Sequence, residues 1–310
     1  MRRLNKSFIL PFMLVLAVAS VSFCAEITRE VVPLEREGIK LHLECMKSDK
    51  GGEPLLLVHG LTYSSHEFDV NYKDYSLARF FARHGFNVWL LDIAGYGQSQ
   101  EVEDGFMPDS DYAAEDILAA VKVILEREGR KSLNVLGWSW GTVTAGRFAA
   151  ENPELVRNLV LYAPIVAGLG EVDVEDEFNH NTWAHAAGDF QTNKDGSINY
   201  DIVEPEVVNA FQSNCWRYDK DSSPNGGRQD LLVAPAERLI PTEDLEMPVL
   251  IIAGSKDDYV SPALCKEAFD SLKNKASRLE IIDGAAHAMM MEKPYYKTFR
   301  QKVLDFFKAN

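Results

Sequence analysis

The sequence predicts an α/β fold in which a mostly parallel sheet is flanked by helices. Short apolar runs typical of buried strands alternate along the chain with longer segments whose apolar residues recur at helical spacing. Turn-forming residues separate these segments, as in folds where helices cover both faces of a parallel sheet. Because 310 residues can bury one large core, we interpret the chain as one α/β domain that carries an insertion.

The first 25 residues have the pattern of a secretory signal peptide. Basic residues within Met1–Lys6 precede an almost wholly apolar run from Phe8 to Val21, and small residues follow. This run is too short for a stable membrane span. We therefore expect an exported protein, either periplasmic or secreted.

The cleavage position stays open among Ser22, Cys24 and Ala25. Cys24 also suggests a lipoprotein anchor, but Phe23 is bulky where such signals usually have a small residue. A soluble exported protein is the preferred interpretation. Three later cysteines allow at most one internal disulfide, and no pair is favoured among Cys45, Cys215 and Cys265.

Residues 26–164 are predicted to form the first part of the core. Glycines at positions 85 and 129 are expected to end its first two helices, because glycine adopts the left-handed backbone that follows many helices. The predicted strands are Leu55–Val58, Asn87–Leu91, Leu133–Leu136 and the run that starts at Leu159.

The pentapeptide Gly137-Trp138-Ser139-Trp140-Gly141 lies directly between a predicted strand and a predicted helix. Glycines on both sides allow the sharp turn that would project the Ser139 hydroxyl into open space. A serine becomes a nucleophile when an imidazole takes its proton and a carboxylate orients that imidazole. The pentapeptide therefore predicts a nucleophile if such partners follow.

Both partners follow at the ends of later predicted strands. Asp257 comes just after the run Val249–Gly254, and His287 follows the run that ends at Ile282. The order Ser139, Asp257, His287 differs from the two better-known serine protease orders. Asp258 is adjacent to Asp257 and stays open as an alternative carboxylate.

An oxyanion hole is predicted from two backbone amides. The strand that ends at Val58 continues into His59-Gly60-Leu61, so the amide of Leu61 is placed to face a reacting carbonyl. The amide of Trp140, the residue after the nucleophile, would be the second donor. We expect His59 to shape this loop through backbone hydrogen bonds rather than to act as a base.

Five motifs in this order resemble the α/β-hydrolase superfamily, over about residues 36–164 and 245–310. They are His59-Gly60, Asp92 to Ser99, Gly137 to Gly141, Gly254 to Asp257 and Gly284 to His287. Ala94 stands where an arginine is common and Ala286 where a glycine is common, but neither change removes a catalytic group. The resemblance implies the α/β-hydrolase fold and a serine hydrolase with a cap insertion.

Residues 165–241 are interpreted as the cap or lid, and residues 242–310 as the second part of the core. An insertion that leaves the carboxyl end of the strand after the nucleophile helix must rise over the catalytic face. This insertion is strongly acidic and carries scattered aromatic residues, which with Trp138 suggest an apolar or aromatic substrate pocket. Its segment Ser223–Gly227 predicts a flexible turn that could act as a hinge.

The predicted function is cleavage of a small ester-like substrate through an acyl-enzyme, without a metal or organic cofactor. A net charge of −15 argues against nucleic-acid binding, and no spacing of His and Cys suggests zinc. An amidase or aminopeptidase, a thioesterase or an acyltransferase would use the same triad. A non-catalytic binding domain is the remaining alternative.

Overall fold

The computed structural model describes residues 26–48 and 51–310. The predicted signal peptide, with Cys24 and the three cleavage positions, lies outside these residues. Within the two described ranges, no helix combines the length and the apolar character that a membrane crossing requires.

Eight strands form one central sheet, in the order β1-β2-β4-β3-β5-β6-β9-β10. They are β1 (Ile27–Arg36), β2 (Ile39–Ser48), β3 (Glu53–Val58), β4 (Phe86–Asp92), β5 (Leu133–Trp138), β6 (Val156–Tyr162), β9 (Val249–Gly254) and β10 (Arg278–Ile282). Strand β2 pairs antiparallel with β1 and β4, and the other pairs are parallel. The predicted fold class, a mostly parallel sheet flanked by helices, is confirmed.

Helices of the core connect these strands and cover the sheet. They are α1 (Leu77–Arg83), α2 (Ser110–Glu128), α3 (Trp140–Glu151), α6 (Pro262–Ser271) and α7 (Tyr296–Ala309). Gly129 ends α2 with a φ of +62°, and the side chain of Ser261 accepts the amide of Leu264 at the start of α6. The helix ends therefore follow from local residues.

The centre of the sheet is its most apolar part. Every residue of β4, β5 and β9 is buried, as expected for parallel strands with helices on both faces. Strand β1 lies at the edge of the sheet, and most of its side chains are exposed or half-buried. Ser139 and Asp257 consequently follow fully buried strands, whereas His287 follows the less buried edge strand β10.

The inserted segment, residues 165–241, lies between β6 and β9 and contributes no strand to the central sheet. Its elements are β7 (Phe178–His180), α4 (Pro205–Tyr218), β8 (Ser222–Pro224) and α5 (Gly226–Leu231), with β7 and β8 paired antiparallel. Phe190 and Phe211 pack edge to face at 5.6 Å in its buried part. Trp183 and Trp216 remain about half exposed.

The cysteines of the described residues are all free and buried. Cys45 lies on β2, Cys215 on α4 and Cys265 on α6. The structure thus places the three thiols on separate elements, with no disulfide among the described residues.

Candidate active site

Ser139 occupies a strained turn between β5 and α3. Its φ of +56° and ψ of −122° are unusual for a residue with a side chain, and such a conformation costs about 1–3 kcal/mol. Surrounding contacts hold it there: its amide donates to the carbonyl of Tyr162 at 3.0 Å, and its carbonyl accepts from Thr142 Oγ1 at 2.6 Å. The turn presents the hydroxyl at the carboxyl end of the sheet.

The glycines around Ser139 are required by close backbone contacts. A Cβ atom on Gly137 would collide with the carbonyl of Gly141, and one on Gly141 would collide with the carbonyl of Val58. A Cβ atom on Gly60 would lie 3.0 Å from the Cβ atom of Ser139. The elbow and the loop after β3 therefore pack too tightly for any larger residue.

His287 and Asp257 form a hydrogen-bonded pair. His287 Nδ1 donates to Asp257 Oδ2 at 2.9 Å, and the amide of Tyr259 donates to the other oxygen, Oδ1, at 2.9 Å. The side chain of Asp257 is fully buried, whereas Asp258 is exposed. The structure thus places Asp257, and not its neighbour, against the imidazole.

The Asp257 carboxylate favours the protonated form of the His287 imidazole. Burial acts to lower the pKa of His287, but the hydrogen bond and the charge of Asp257 outweigh burial and raise the pKa above its ordinary value of 6.5. Ser139 and His287 line the same pocket. No hydrogen bond joins their side chains among the described residues, and such catalytic contacts are often long until substrate binds.

The loop that carries His287 is held by Tyr162 and Glu292, which the sequence analysis missed, and by Trp138, which it assigned to the pocket. The carbonyl of His287 accepts from Tyr162 Oη at 2.6 Å and from Trp138 Nε1 at 3.2 Å. The carboxyl of Glu292 accepts the amide of Ala286 at 3.1 Å. Tyr162 ends a predicted strand next to the nucleophile strand, and this adjacency was the available signal.

Trp138 lies beneath the site and does not line the pocket, in contrast to the expectation for this side chain. Its ring stacks on Tyr162 at 5.6 Å and lies 5.6 Å from the ring of His287. The cause is the alternation of side chains along β5, which directs its last residue into the core beside Phe68. Trp138 therefore supports the histidine instead of contacting substrate.

The two expected oxyanion donors flank the nucleophile. Leu61 lines the pocket with Ser139, and Trp140 begins α3 directly after it. Among the described residues, neither amide nitrogen donates to a protein acceptor. Both N–H groups are consequently available to a substrate oxygen.

His59 shapes the Leu61 loop, in agreement with the role expected for it. Its Nδ1 donates to the carbonyl of Gly60 at 2.9 Å, and its Nε2 accepts the amide of Ile93 at 3.1 Å. Complete burial lowers the pKa of His59, so the ring is neutral and both nitrogens are engaged.

Glu67 fixes the same loop from below. Its Oε1 accepts the amide of Gly60 at 3.0 Å, and burial raises the pKa of this carboxyl well above its ordinary value. A neutral carboxyl and an amide both offer a carbonyl oxygen. We therefore expect Glu67→Gln to cost less than about 1 kcal/mol of unfolding free energy.

Glu67→Ala is the matched variant, because it leaves the Gly60 amide unpaired and opens a cavity. We expect it to cost about 2–4 kcal/mol in urea denaturation. Equal losses in both variants would contradict the hydrogen-bond role of Glu67.

The pocket in front of Ser139 has a volume of about 240 Å³. Its lining residues are Leu61, Thr62, Tyr63, Ser139, Ile165, Leu169, His185, Gly188, Asp189, Arg228, Leu231, Leu232, Tyr259 and His287. Tyr63 and Tyr259 of the core are aromatic, and the inserted segment supplies aliphatic side chains together with His185, Asp189 and Arg228. Aliphatic and polar side chains therefore both line the pocket, and polar groups of this kind orient small molecules.

The glycines at the start of α5 are packed and do not form the loose turn predicted from their composition. A Cβ atom on Gly227 would lie 2.5 Å from Trp140 Cε2. The indole of Trp140 in turn donates to Ser110 Oγ at 2.9 Å. Small residues here serve close approach of the inserted segment to the nucleophile helix.

One cluster has the residue types of a metal site. The ligand atoms of His42, His66 and Asp92 lie within 4.8 Å of one another, although no sequence spacing suggested it. The side-chain amide of Gln98 lies between the imidazoles, at 3.0 and 3.2 Å, and both oxygens of Asp92 accept protein hydrogen bonds. These contacts explain the cluster as a set of hydrogen bonds between neighbouring segments, outside the Ser139 pocket.

A model of the family described as serine aminopeptidase, S33, matches residues 53–294. The chain belongs to this family. The resemblance to α/β hydrolases is thereby confirmed, and this S33-family chain is a hydrolase with relatives named as peptidases and esterases.

Several individual proteins are similar to this S33-family chain. The proline iminopeptidase of Lactobacillus delbrueckii subsp. bulgaricus is 24% identical over 257 residues, which cover 76% of this chain and 83% of that protein. Lipase member K of Mus musculus is 31% identical over 127 residues, which cover 38% of this chain and 32% of the lipase.

Solved structures show the same fold. The naproxen esterase (carboxylesterase NP) of Bacillus subtilis has a TM-score of 0.61 at 17% identity, over 92% of this chain and 93% of its own. An α/β-hydrolase fold protein of Chitinophaga pinensis has a TM-score of 0.64 at 15% identity, over 91% and 98%.

Proposed function

We propose that the chain is an exported serine hydrolase that cleaves a carboxylic ester through an acyl-enzyme. The observation that carries this proposal is the geometry of one pocket. It contains Ser139 on its strained turn and His287 bonded to the buried carboxylate of Asp257. The amides of Leu61 and Trp140 are free to bind an oxyanion beside them.

The mechanism assigns one step to each group. Ser139 Oγ attacks the ester carbonyl while His287 takes its proton, and Asp257 orients the imidazole and stabilises its charge. The carbonyl oxygen, now negative, accepts hydrogen bonds from the amides of Leu61 and Trp140. His287 then protonates the leaving alcohol, and water releases the acyl group by the same steps.

A substrate panel tests the reaction class. We expect the purified protein to hydrolyse p-nitrophenyl esters with short apolar acyl chains faster than the matched anilides and thioesters. A fluorophosphonate probe should label Ser139, as located by mass spectrometry of the labelled peptide. Absence of both labelling and turnover would favour the alternative of a non-catalytic binding domain.

The pH dependence follows from the raised pKa of His287. The base must be neutral to accept the serine proton, so activity should fall as pH drops through this pKa. Because Asp257 raises the pKa, the acidic limb of kcat/KM should lie above about 6.5. A neutral ester assayed between pH 5 and 9 measures it, and a flat profile would contradict the assignment.

A second candidate is amide cleavage at a free amino terminus. Its support is the similarity to a proline iminopeptidase over 76% of this chain, together with the S33 family itself. An acyl-enzyme mechanism serves esters and amides alike, and specificity resides in the pocket. Faster turnover of proline p-nitroanilide than of any p-nitrophenyl ester would favour this candidate.

Export rests on the pattern of residues 1–25. Expression of the full chain in a bacterial host, followed by fractionation and amino-terminal sequencing, tests it. A mature protein outside the cytoplasm that starts after Ser22, Cys24 or Ala25 would support the proposal, whereas an intact leader in the cytoplasm would contradict it.

A further inference from the structure

The Ser139 pocket contains a positive charge that no acidic side chain neutralises. Arg228, on α5 of the inserted segment, is half-buried and lines this pocket. Its Nη2 donates to Thr62 Oγ1 at 2.9 Å, and its Nη1 donates to Asn225 Oδ1. Both acceptors are neutral, so they position the guanidinium without balancing its charge.

The other arginines show how unusual this is. Nine arginines of the described residues lie within 4.0 Å of a carboxylate: Arg29, Arg36, Arg79, Arg127, Arg130, Arg147, Arg157, Arg238 and Arg300. The remaining ones besides Arg228 are Arg83, Arg217 and Arg278, which are exposed to solvent. Within the described ranges, Arg228 is therefore the arginine that is both shielded from water and without a carboxylate.

The absence of a carboxylate beside Arg228 within the described residues is unexpected in a chain with a negative net charge. Acidic residues exceed basic ones by 15 in the chain, and Asp189 lines the same pocket without lying within 4.0 Å of Arg228. Burial lowers the pKa of Arg228 below its ordinary value, which reflects the cost of holding this cation away from water. An arginine remains charged nonetheless, and a bound anion would offset that cost.

Arg228 contacts the loop that is expected to hold the reacting carbonyl. Thr62, which accepts from its Nη2, directly follows Leu61, the expected oxyanion donor. The guanidinium thus lies over the loop that would hold the ester carbonyl. A planar fork of N–H donors matches the two oxygens of a carboxylate.

We propose that Arg228 binds a carboxylate carried by the substrate, so that the preferred esters are monoanions with an apolar chain. The inference rests on the proposed esterase function and adds the substrate class to it. The aliphatic side chains of Leu169, Leu231 and Leu232 would contact the apolar chain of the ester, and Arg228 would fix the position of its carboxylate. The strong acidity of the inserted segment would still disfavour polyanions.

The test compares two esters that differ in one charge. Mono-p-nitrophenyl adipate carries a free carboxylate, and methyl p-nitrophenyl adipate is its neutral counterpart. We expect Arg228→Gln to lower the ratio of kcat/KM for the anionic over the neutral ester on the order of 100-fold, as for a lost charge-assisted hydrogen bond. Arg228→Lys should retain part of the preference, because it keeps the charge without the fork.

Arg83→Gln is the matched control, since it removes the same charge from an exposed site and should leave the ratio unchanged. If the contact between Arg228 and Thr62 only held α5 in place, Arg228→Gln would lower kcat/KM for both esters together. The ratio between the two esters would then be unchanged. That outcome, or a wild-type enzyme without preference for the anionic ester, would overturn the proposal.

Failure of the esterase function is separable from failure of this inference. If the wild-type protein cleaves neither ester, calorimetric titration with monomethyl adipate measures binding directly. Binding that Arg228→Gln weakens and Arg83→Gln preserves would support the carboxylate site, and absence of binding to wild-type protein would refute it.

Discussion

Ser139→Ala is expected to lower kcat for a p-nitrophenyl ester by about a millionfold, the loss seen when a serine hydrolase is deprived of its nucleophile. The alanine has no oxygen that could form the acyl-enzyme. Residual turnover would then come from binding and from the oxyanion amides alone. Steady-state rates of freshly purified wild-type and variant proteins measure the effect.

Ser222→Ala is the control for this experiment, because Ser222 is an exposed serine on β8 outside the pocket. Its rate should equal that of the wild type. If Ser139→Ala retained wild-type turnover, Ser139 would not be the nucleophile, and the elbow would be only a tight turn.

Asp257→Asn should lower kcat about ten-thousandfold while leaving the fold intact. An asparagine amide can donate to His287 Nδ1, which leaves the proton on Nε2 and prevents this nitrogen from accepting the serine proton. The variant also lacks the charge that raises the pKa of His287, so the residual activity should extend to lower pH. Rates between pH 5 and 9 measure both effects.

Asp258→Asn tests the adjacent carboxylate that the sequence left open as an alternative. Asp258 is exposed, so its substitution should change kcat less than about twofold. A large loss in Asp258→Asn with little loss in Asp257→Asn would exchange their roles and contradict the pairing seen at 2.9 Å.

The parts of the fold that were predictable depend on local chemistry. Gly129 and Ser261 end and begin helices through backbone angles and side-chain acceptors that short segments specify. The buried strands β5 and β9 carry nearly unbroken apolar runs, so their ends, and with them Ser139 and Asp257, could be placed in order. Strand β1 escaped prediction because an edge strand with polar outward residues lacks such a run.

The parts that were not predictable depend on contacts between distant segments. The contact of Trp138 with His287 joins residues far apart in the sequence, and Glu67 matters only because it reaches the Gly60 amide. Arg228 follows two glycines that suggested a loose turn, whereas the second of them, Gly227, packs closely against Trp140. Sequence patterns located the end of the sheet at which the catalytic residues lie. The residues that line the pocket are brought together by tertiary packing.

The three buried thiols of residues 26–48 and 51–310 give this part of the protein an unreactive background for cysteine chemistry. Burial raises the pKa of Cys45 and of Cys265 to about 12, so neither forms an appreciable thiolate at neutral pH. Alkylating reagents therefore discriminate strongly in favour of a thiol introduced on the surface. Trp183→Cys would offer such a point on the inserted segment, where one fluorophore would report whether this segment moves during turnover.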